Sequence, residues 1–185
     1  ARLWEALPAD AFWSARYVSS RHEETAIGMA LGYAKATGRL PAVVVHTTVG
    51  ALHTTMIARA ALHERIPMVI LAGEVIGFGE PPSPKVGRQW LRLLTDLGGP
   101  ARLMESSVKW SFALNVPTLL ASTMQRACQL AMSSPRGPVF VSVPRYTFNV
   151  PWLRPLSSTS PISTRKHPVQ SSLKSMTPSR GSPES

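Results

Sequence analysis

The chain has 185 residues, 44% of them apolar, and a formal net charge of +10. That length supplies one domain with a sizeable core, and its longest apolar run, residues 66–73, is too short to cross a bilayer. The charge does not make it a nucleic-acid binder. Residues 151–185 carry five basic residues against one acid, and residues 1–150 carry fifteen against nine, scattered rather than striped. No secretory leader is visible. The single cysteine, Cys128, excludes an internal disulfide and fits a reducing, cytoplasmic compartment. It lies in an apolar helical setting and is expected to be a buried small hydrophobe.

In chain order, Arg2-Leu3-Trp4-Glu5-Ala6-Leu7 predicts part of a helix stopped by Pro8. Residues 15–20 read as a short strand. Arg21-His22-Glu23-Glu24 then opens an Ala- and Gly-rich helix over residues 22–37, ended by Gly38 at the C-cap position. Its side-chain layer is thin, so it can lie close to a neighbour. Its two acids stand where the helix macrodipole favours them. Pro41-Ala42-Val43-Val44-Val45-His46 is a β-branched run, as a strand covered on both faces requires. Thr47-Thr48-Val49-Gly50 is expected to be a turn, followed by a helix over residues 51–64. Residues 67–72 predict a second buried strand, ended by Gly73.

Residues 77–87 read as a loop stiffened by Pro81, Pro82 and Pro84, and residues 88–97 as a helix. A strand is expected near Ser107-Val108-Lys109-Trp110. Pro117 stands where a helix running to Met132 would start. Residues 138–143 make a last buried strand, closed by Pro144. Strands alternating with helices at this spacing predict a parallel sheet. From about residue 151 the chain turns to Ser, Pro, Thr and basic residues. That composition buries too little surface to offset its ordering entropy, so a disordered tail is expected over residues 151–185.

Arg21-His22-Glu23 with its small-residue helix ending Gly32-Tyr33-Ala34-Lys35-Ala36-Thr37-Gly38 resembles the pyrimidine-binding (Pyr) domain of thiamine-diphosphate-dependent enzymes. The likeness is to acetolactate synthase and benzoylformate decarboxylase. Three further stretches match in order: His46-Thr47-Thr48-Val49-Gly50-Ala51-Leu52-His53, residues 67–73, and residues 135–144. The resemblance covers residues 1–150. It implies a three-layer α/β/α fold with a mainly parallel sheet, here without the family's first strand.

It also implies a thiamine diphosphate cofactor and chemistry on 2-oxo acids through the thiamine ylid: decarboxylation, carboligation or carbon–carbon lysis. By position, Glu23 is the acid that meets the cofactor's aminopyrimidine ring nitrogen. Aspartate would be too short there, and glutamine could not exchange the proton. The helix dipole should lower this acid's pKa while enclosure should raise it, and the sequence leaves the outcome open. Thr48, Gly50 and His53 fall at cofactor-binding positions. Gly50 is expected to let the backbone approach the ring.

His46, at a strand's carboxyl end, faces the substrate in the benzoylformate decarboxylase pattern; a strand-end histidine bonded to nearby backbone is the other reading. Gln89 matches a substrate-side glutamine. Glu24 reads as a solvated acid at the helix start, and His22 as a local packing or hydrogen-bonding residue. The family's diphosphate and Mg2+ are held through a Gly-Asp-Gly motif in another domain, and no Gly-Asp-Gly occurs in this chain. The chain opens on Ala1 rather than Met, which leaves room for an upstream portion. The expectation is therefore half of an active site, inactive alone. It would be completed in a homodimer or tetramer, or by a separate diphosphate-binding subunit as in two-chain 2-oxo acid decarboxylases. A non-catalytic basic binding module is the alternative from another class.

Overall fold

The computed structural model describes residues 17–74 and 99–144. The expected first helix, the loop and helix over residues 77–97 with Gln89, and the tail lie outside them. The described residues fall within one compact unit, Ala1–Leu153. The elements run α1 (Glu23–Thr37), β1 (Ala42–Val45), α2 (Thr47–His63), β2 (Met68–Glu74), α3 (Gly99–Met104), β3 (Trp110–Ala113), a 3-10 turn (Pro117–Leu119), α4 (Leu120–Met132) and β4 (Pro138–Pro144).

The four strands form one sheet in the order β1-β2-β4-β3, and every pairing is parallel. Their apolar runs follow from cover on both faces. Side chains alternate across a strand. Met68, Ile70, Ala72 and Phe140 therefore join Ile27 of α1, Ala51, Ala58 and Ala61 of α2, and Met104 of α3 in one core. Val69, Val139, Val141 and Val143 point the other way, against Ala127 and Ala131 of α4. The result is the expected helix–sheet–helix sandwich. The helices meet it through alanines, so their axes can come close.

Several boundaries differ from the sequence reading. Tyr17–Ser20, the described part of the expected first strand, has no regular structure. Thr47 to Gly50 are the first turn of α2, not a loop before it. Thr48, Gly50 and Ala51 are buried, so this turn packs as helix. β2 runs through Gly73 to Glu74, because Gly73 and Glu74 keep pairing with Val143 and Pro144. The strand expected near residues 107–110 lies at Trp110–Ala113. Lys109 is diverted: its Nζ donates to the carbonyls of Leu130 and Ser133, at 2.6 and 2.8 Å, at the end of α4. α3 was not anticipated. The helix expected from Pro117 starts as a 3-10 turn and becomes α-helical at Leu120. Cys128 is exposed rather than buried, on the solvent side of α4 next to the core residue Ala127.

Candidate functional site

Two helix beginnings meet beyond the carboxyl end of β1. α1 starts at Glu23, with His22 as its N-cap; the His22 Nδ1 accepts the Glu24 N–H at 3.3 Å. A histidine cap explains why no Ser, Thr, Asp or Asn marks this helix start. At the other end Gly38 takes the left-handed conformation, φ 69°, and returns its N–H to the Ala34 carbonyl, as its place after the helix predicts.

α2 starts directly after β1, with His46 as its N-cap but no side-chain cap bond. The strand turns into the helix at Thr47, whose φ is +44°. A β-branched residue in that region carries strain, on the order of 1–3 kcal/mol.

The Glu23 side chain reaches from α1 across the first turn of α2. A Cβ built on Gly50 would lie 3.0 Å from Glu23 Oε1, 3.1 Å from Val45 Cβ and 3.3 Å from Glu23 Cγ. Gly50 thus makes room for the Glu23 side chain itself. Glu23 Oε2 pairs with His53 Nδ1 at 3.4 Å, and the His53 ring stacks on His22 with centroids 4.8 Å apart. The Glu23 side chain is 26% exposed, so it is held yet reachable.

The Glu23 carboxyl lies below its ordinary pKa. Its own backbone amide is the largest cause, partial burial opposes it, and His53 and His22 lower it further. Between the two opposing effects the sequence leaves open, the lowering one wins because the carboxyl keeps contact with water. Glu23 is therefore an ionised hydrogen-bond acceptor at neutral pH.

The structure brings Glu23, Gly50 and His53 together and adds His22. Thr48 is buried in the same helical turn as Gly50. His46 is exposed at the end of β1 and pairs with Thr47 Oγ1 at 3.3 Å, sharing no hydrogen bond with the Glu23 cluster. Glu24 is more than half exposed on its side chain and lies 3.9 Å from His22 Nδ1. The stacking of His22 on His53 had no sequence signal, because 31 positions separate the two rings. Glu74 was also missed. It stands at the carboxyl end of β2 and accepts the Ser142 hydroxyl at 2.7 Å. An acid directly after a strand's last glycine, at the sheet edge where ligands bind, was the available signal.

Residues 1–91 match the family model described as the thiamine pyrophosphate enzyme, N-terminal TPP binding domain. With the α/β sandwich and its parallel sheet, this makes the chain similar to the N-terminal TPP binding domain of thiamine pyrophosphate enzymes. Within that class it is similar to acetolactate synthase and benzoylformate decarboxylase. It is 31% identical over 133 residues to the acetolactate synthase large subunit of Haemophilus influenzae, covering 72% of this chain and 22% of that protein. It is 30% identical over 129 residues to benzoylformate decarboxylase of Pseudomonas aeruginosa, covering 70% and 23%. The crystal structure of benzoylformate decarboxylase from Polynucleobacter necessarius superposes with a TM-score of 0.60 at 25% identity, over 71% of this chain and 23% of that one. The chain thus spans less than a quarter of the length of these relatives.

The residues present fit an aminopyrimidine. A ring nitrogen that carries or shares a proton needs an anionic acceptor, and Glu23 is one. The acceptor must be fixed, and the recess over Gly50 with the His53 contact fixes it. Among the described residues no helix is long and apolar enough to cross a membrane.

Proposed function

We propose that this chain supplies the aminopyrimidine side of a thiamine diphosphate site in an enzyme that acts on 2-oxo acids by decarboxylation, carboligation or carbon–carbon lysis. The observation that carries this reading is the ionised Glu23 carboxylate, seated over Gly50 beyond the end of a parallel strand. When bound, thiamine diphosphate supplies a nucleophilic carbon and an electron sink for the substrate's carbanion.

Glu23 accepts the hydrogen bond of the ring nitrogen and shares its proton. His53 orients the carboxylate through Oε2. Gly50 keeps the space in which that carboxylate lies, and Thr48 belongs to the same turn. Covering the site removes water from Glu23, and desolvation then raises its pKa toward the range in which a proton is easily shared. His46, exposed at the end of β1, is assigned acid/base exchange with the substrate by resemblance. Gln89 is assigned to the substrate side by resemblance alone.

The diphosphate and its Mg2+ are assigned to a domain or subunit beyond this chain. The chain's small share of its relatives' length and the lack of a Gly-Asp-Gly sequence support this. That half would come from a phosphate-binding domain of a longer subunit paired with this one in a dimer or tetramer, or from a separate subunit, in a cytoplasmic assembly. Exposed Met29 and Tyr33 on α1 and Val49, Leu52 and Met56 on α2 offer apolar surface for the contact.

The test compares Glu23→Gln with Glu24→Gln. Thiamine diphosphate binding to this chain reconstituted with the diphosphate-binding domain or subunit, read by calorimetry, should weaken about 10- to 100-fold in Glu23→Gln, as loss of a charge-assisted hydrogen bond of about 1.5–3 kcal/mol implies. Glu24→Gln should bind like the parent. Equal effects would assign the wrong acid. Turnover of 2-oxo acids with thiamine diphosphate and Mg2+ should require a partner chain. Turnover by this chain alone would refute the division of the site.

A further inference from the structure

His22, Glu23 and His53 offer one ligating atom each, and no two of these atoms are more than 4.8 Å apart. We propose that these three side chains form a binding site for a first-row transition cation, with Zn2+ as the matching ion. The metal would take the carboxylate that the cofactor reading assigns to the aminopyrimidine.

The donor set is the first argument. Two imidazoles and one carboxylate suit Zn2+ and leave a fourth position open for water or another ligand. Spacing is the second. Bonds of about 2.0–2.1 Å in a tetrahedron separate neighbouring ligand atoms by about 3.4 Å. Glu23 Oε2 and His53 Nδ1 already stand 3.4 Å apart. The third ligand has about 1.4 Å or less to close, which side-chain rotation supplies. Reach is the third. His22 and His53 are 48% and 43% exposed on their side chains, and Glu23 is 26% exposed, so an ion can enter from solvent.

The fold also holds the ligands near one another without the ion. α1 presents His22 and Glu23 as cap and first residue, and α2 presents His53 two turns in. The His22 ring is stacked on His53. Binding through His22 Nδ1 would compete with the Glu24 N–H that this atom now caps, whereas binding through Nε2 would leave the cap in place.

The overlap with the cofactor rests on the proposed function; the metal site does not. The experiment separates the two. The full chain is titrated with Zn2+ against a chromophoric chelator, without thiamine diphosphate. One equivalent should bind. His22→Asn, which keeps an acceptor for the Glu24 N–H, and His53→Gln should each weaken binding at least tenfold, an order of magnitude set by the loss of one of three ligands. His63→Gln, on the exposed last turn of α2, should leave it unchanged. Circular dichroism of each variant confirms the fold. Co2+ in place of Zn2+ should show ligand-field absorption of tetrahedral intensity that His53→Gln abolishes. Failure of Zn2+ to bind, or parent-like affinity in either His22→Asn or His53→Gln, overturns the site.

A repeat with thiamine diphosphate present should show each ligand weakening the other by the same factor. Zn2+ binding that ignores a bound cofactor overturns the shared carboxylate. Metal-free chain assembled with a diphosphate-binding chain that still binds no cofactor, while the Zn2+ results hold, overturns the cofactor reading alone.

Discussion

Gly50→Ala tests whether the space under Glu23 is as closed as the geometry states. Two effects oppose one another. In a helix interior, alanine is favoured over glycine by about 0.8–1.0 kcal/mol. Against this, the new methyl would sit 3.0 Å from Glu23 Oε1 and 3.1 Å from Val45 Cβ. The carboxylate can swing away, but Val45 Cβ is fixed to the backbone of β1. Overpacking of this kind costs about 1–3 kcal/mol. The net expectation runs from no change to a loss of about 2 kcal/mol. α1 provides the controls. A methyl on Gly32 meets nothing within 4 Å, and one on Gly28 meets only Ile57 Cδ1 at 3.7 Å. Both alanine variants should gain close to the full propensity term. Urea unfolding of the three variants at a shared m-value reads the differences as shifts in midpoint. Gly50→Ala should also weaken thiamine diphosphate binding, since the displaced group is Glu23. If Gly50→Ala is as stable as Gly32→Ala and binds cofactor like the parent, the recess does not hold the carboxylate.

The depressed pKa of Glu23 predicts a sign for acid sensitivity. The ionised form stabilises the fold above the unfolded value near 4.5, and that contribution is lost as pH falls through the lower folded value. The stability gap between the parent and Glu23→Gln should therefore shrink on acidification below about pH 4.5, measured as urea midpoints across the range; a gap that widens refutes the shift. Ser142 is fully buried and donates to Glu74 at 2.7 Å. Ser142→Ala should cost about 1.5–3 kcal/mol, the range for a hydrogen bond to a charged group, and a neutral result in thermal unfolding would mean Glu74 is satisfied without it.

The strands were legible because a sheet covered on both faces needs unbroken apolar runs, and Val43 to Val45 and Val139 to Val141 supply them. The place of Glu23 at the start of α1 was legible because acids before a small-residue helix are a local pattern, whereas its assignment to a cofactor came from the family resemblance alone. Thr47 to Gly50 were not legible as helix. Two threonines and a glycine have weak helix propensity, and the His46 side chain gives α2 no cap bond; only burial against the sheet makes them helical. α3 begins Gly99-Pro100, residues that ordinarily mark turns, and is only six residues long. Lys109 hid the true start of β3, since its side chain serves α4 rather than the strand. The pairing of Glu23 with His53, and of His53 with His22, belongs to tertiary structure: no local period connects residues on two different helices.

Lys109 has a consequence for how the molecule opens. Its backbone N–H donates to Pro138 O at the start of β4. Its ammonium holds Leu130 O, Ser133 O and Ser133 Oγ at the end of α4. Helix ends ordinarily fray because their last carbonyls have no intrahelical partner. Here those carbonyls are tied to a residue that leads into β3, so the last turn of α4 cannot loosen without releasing the entry to two strands. In native-state hydrogen exchange, the amides at this end of α4 should share the protection of the sheet and exchange with it as one cooperative unit.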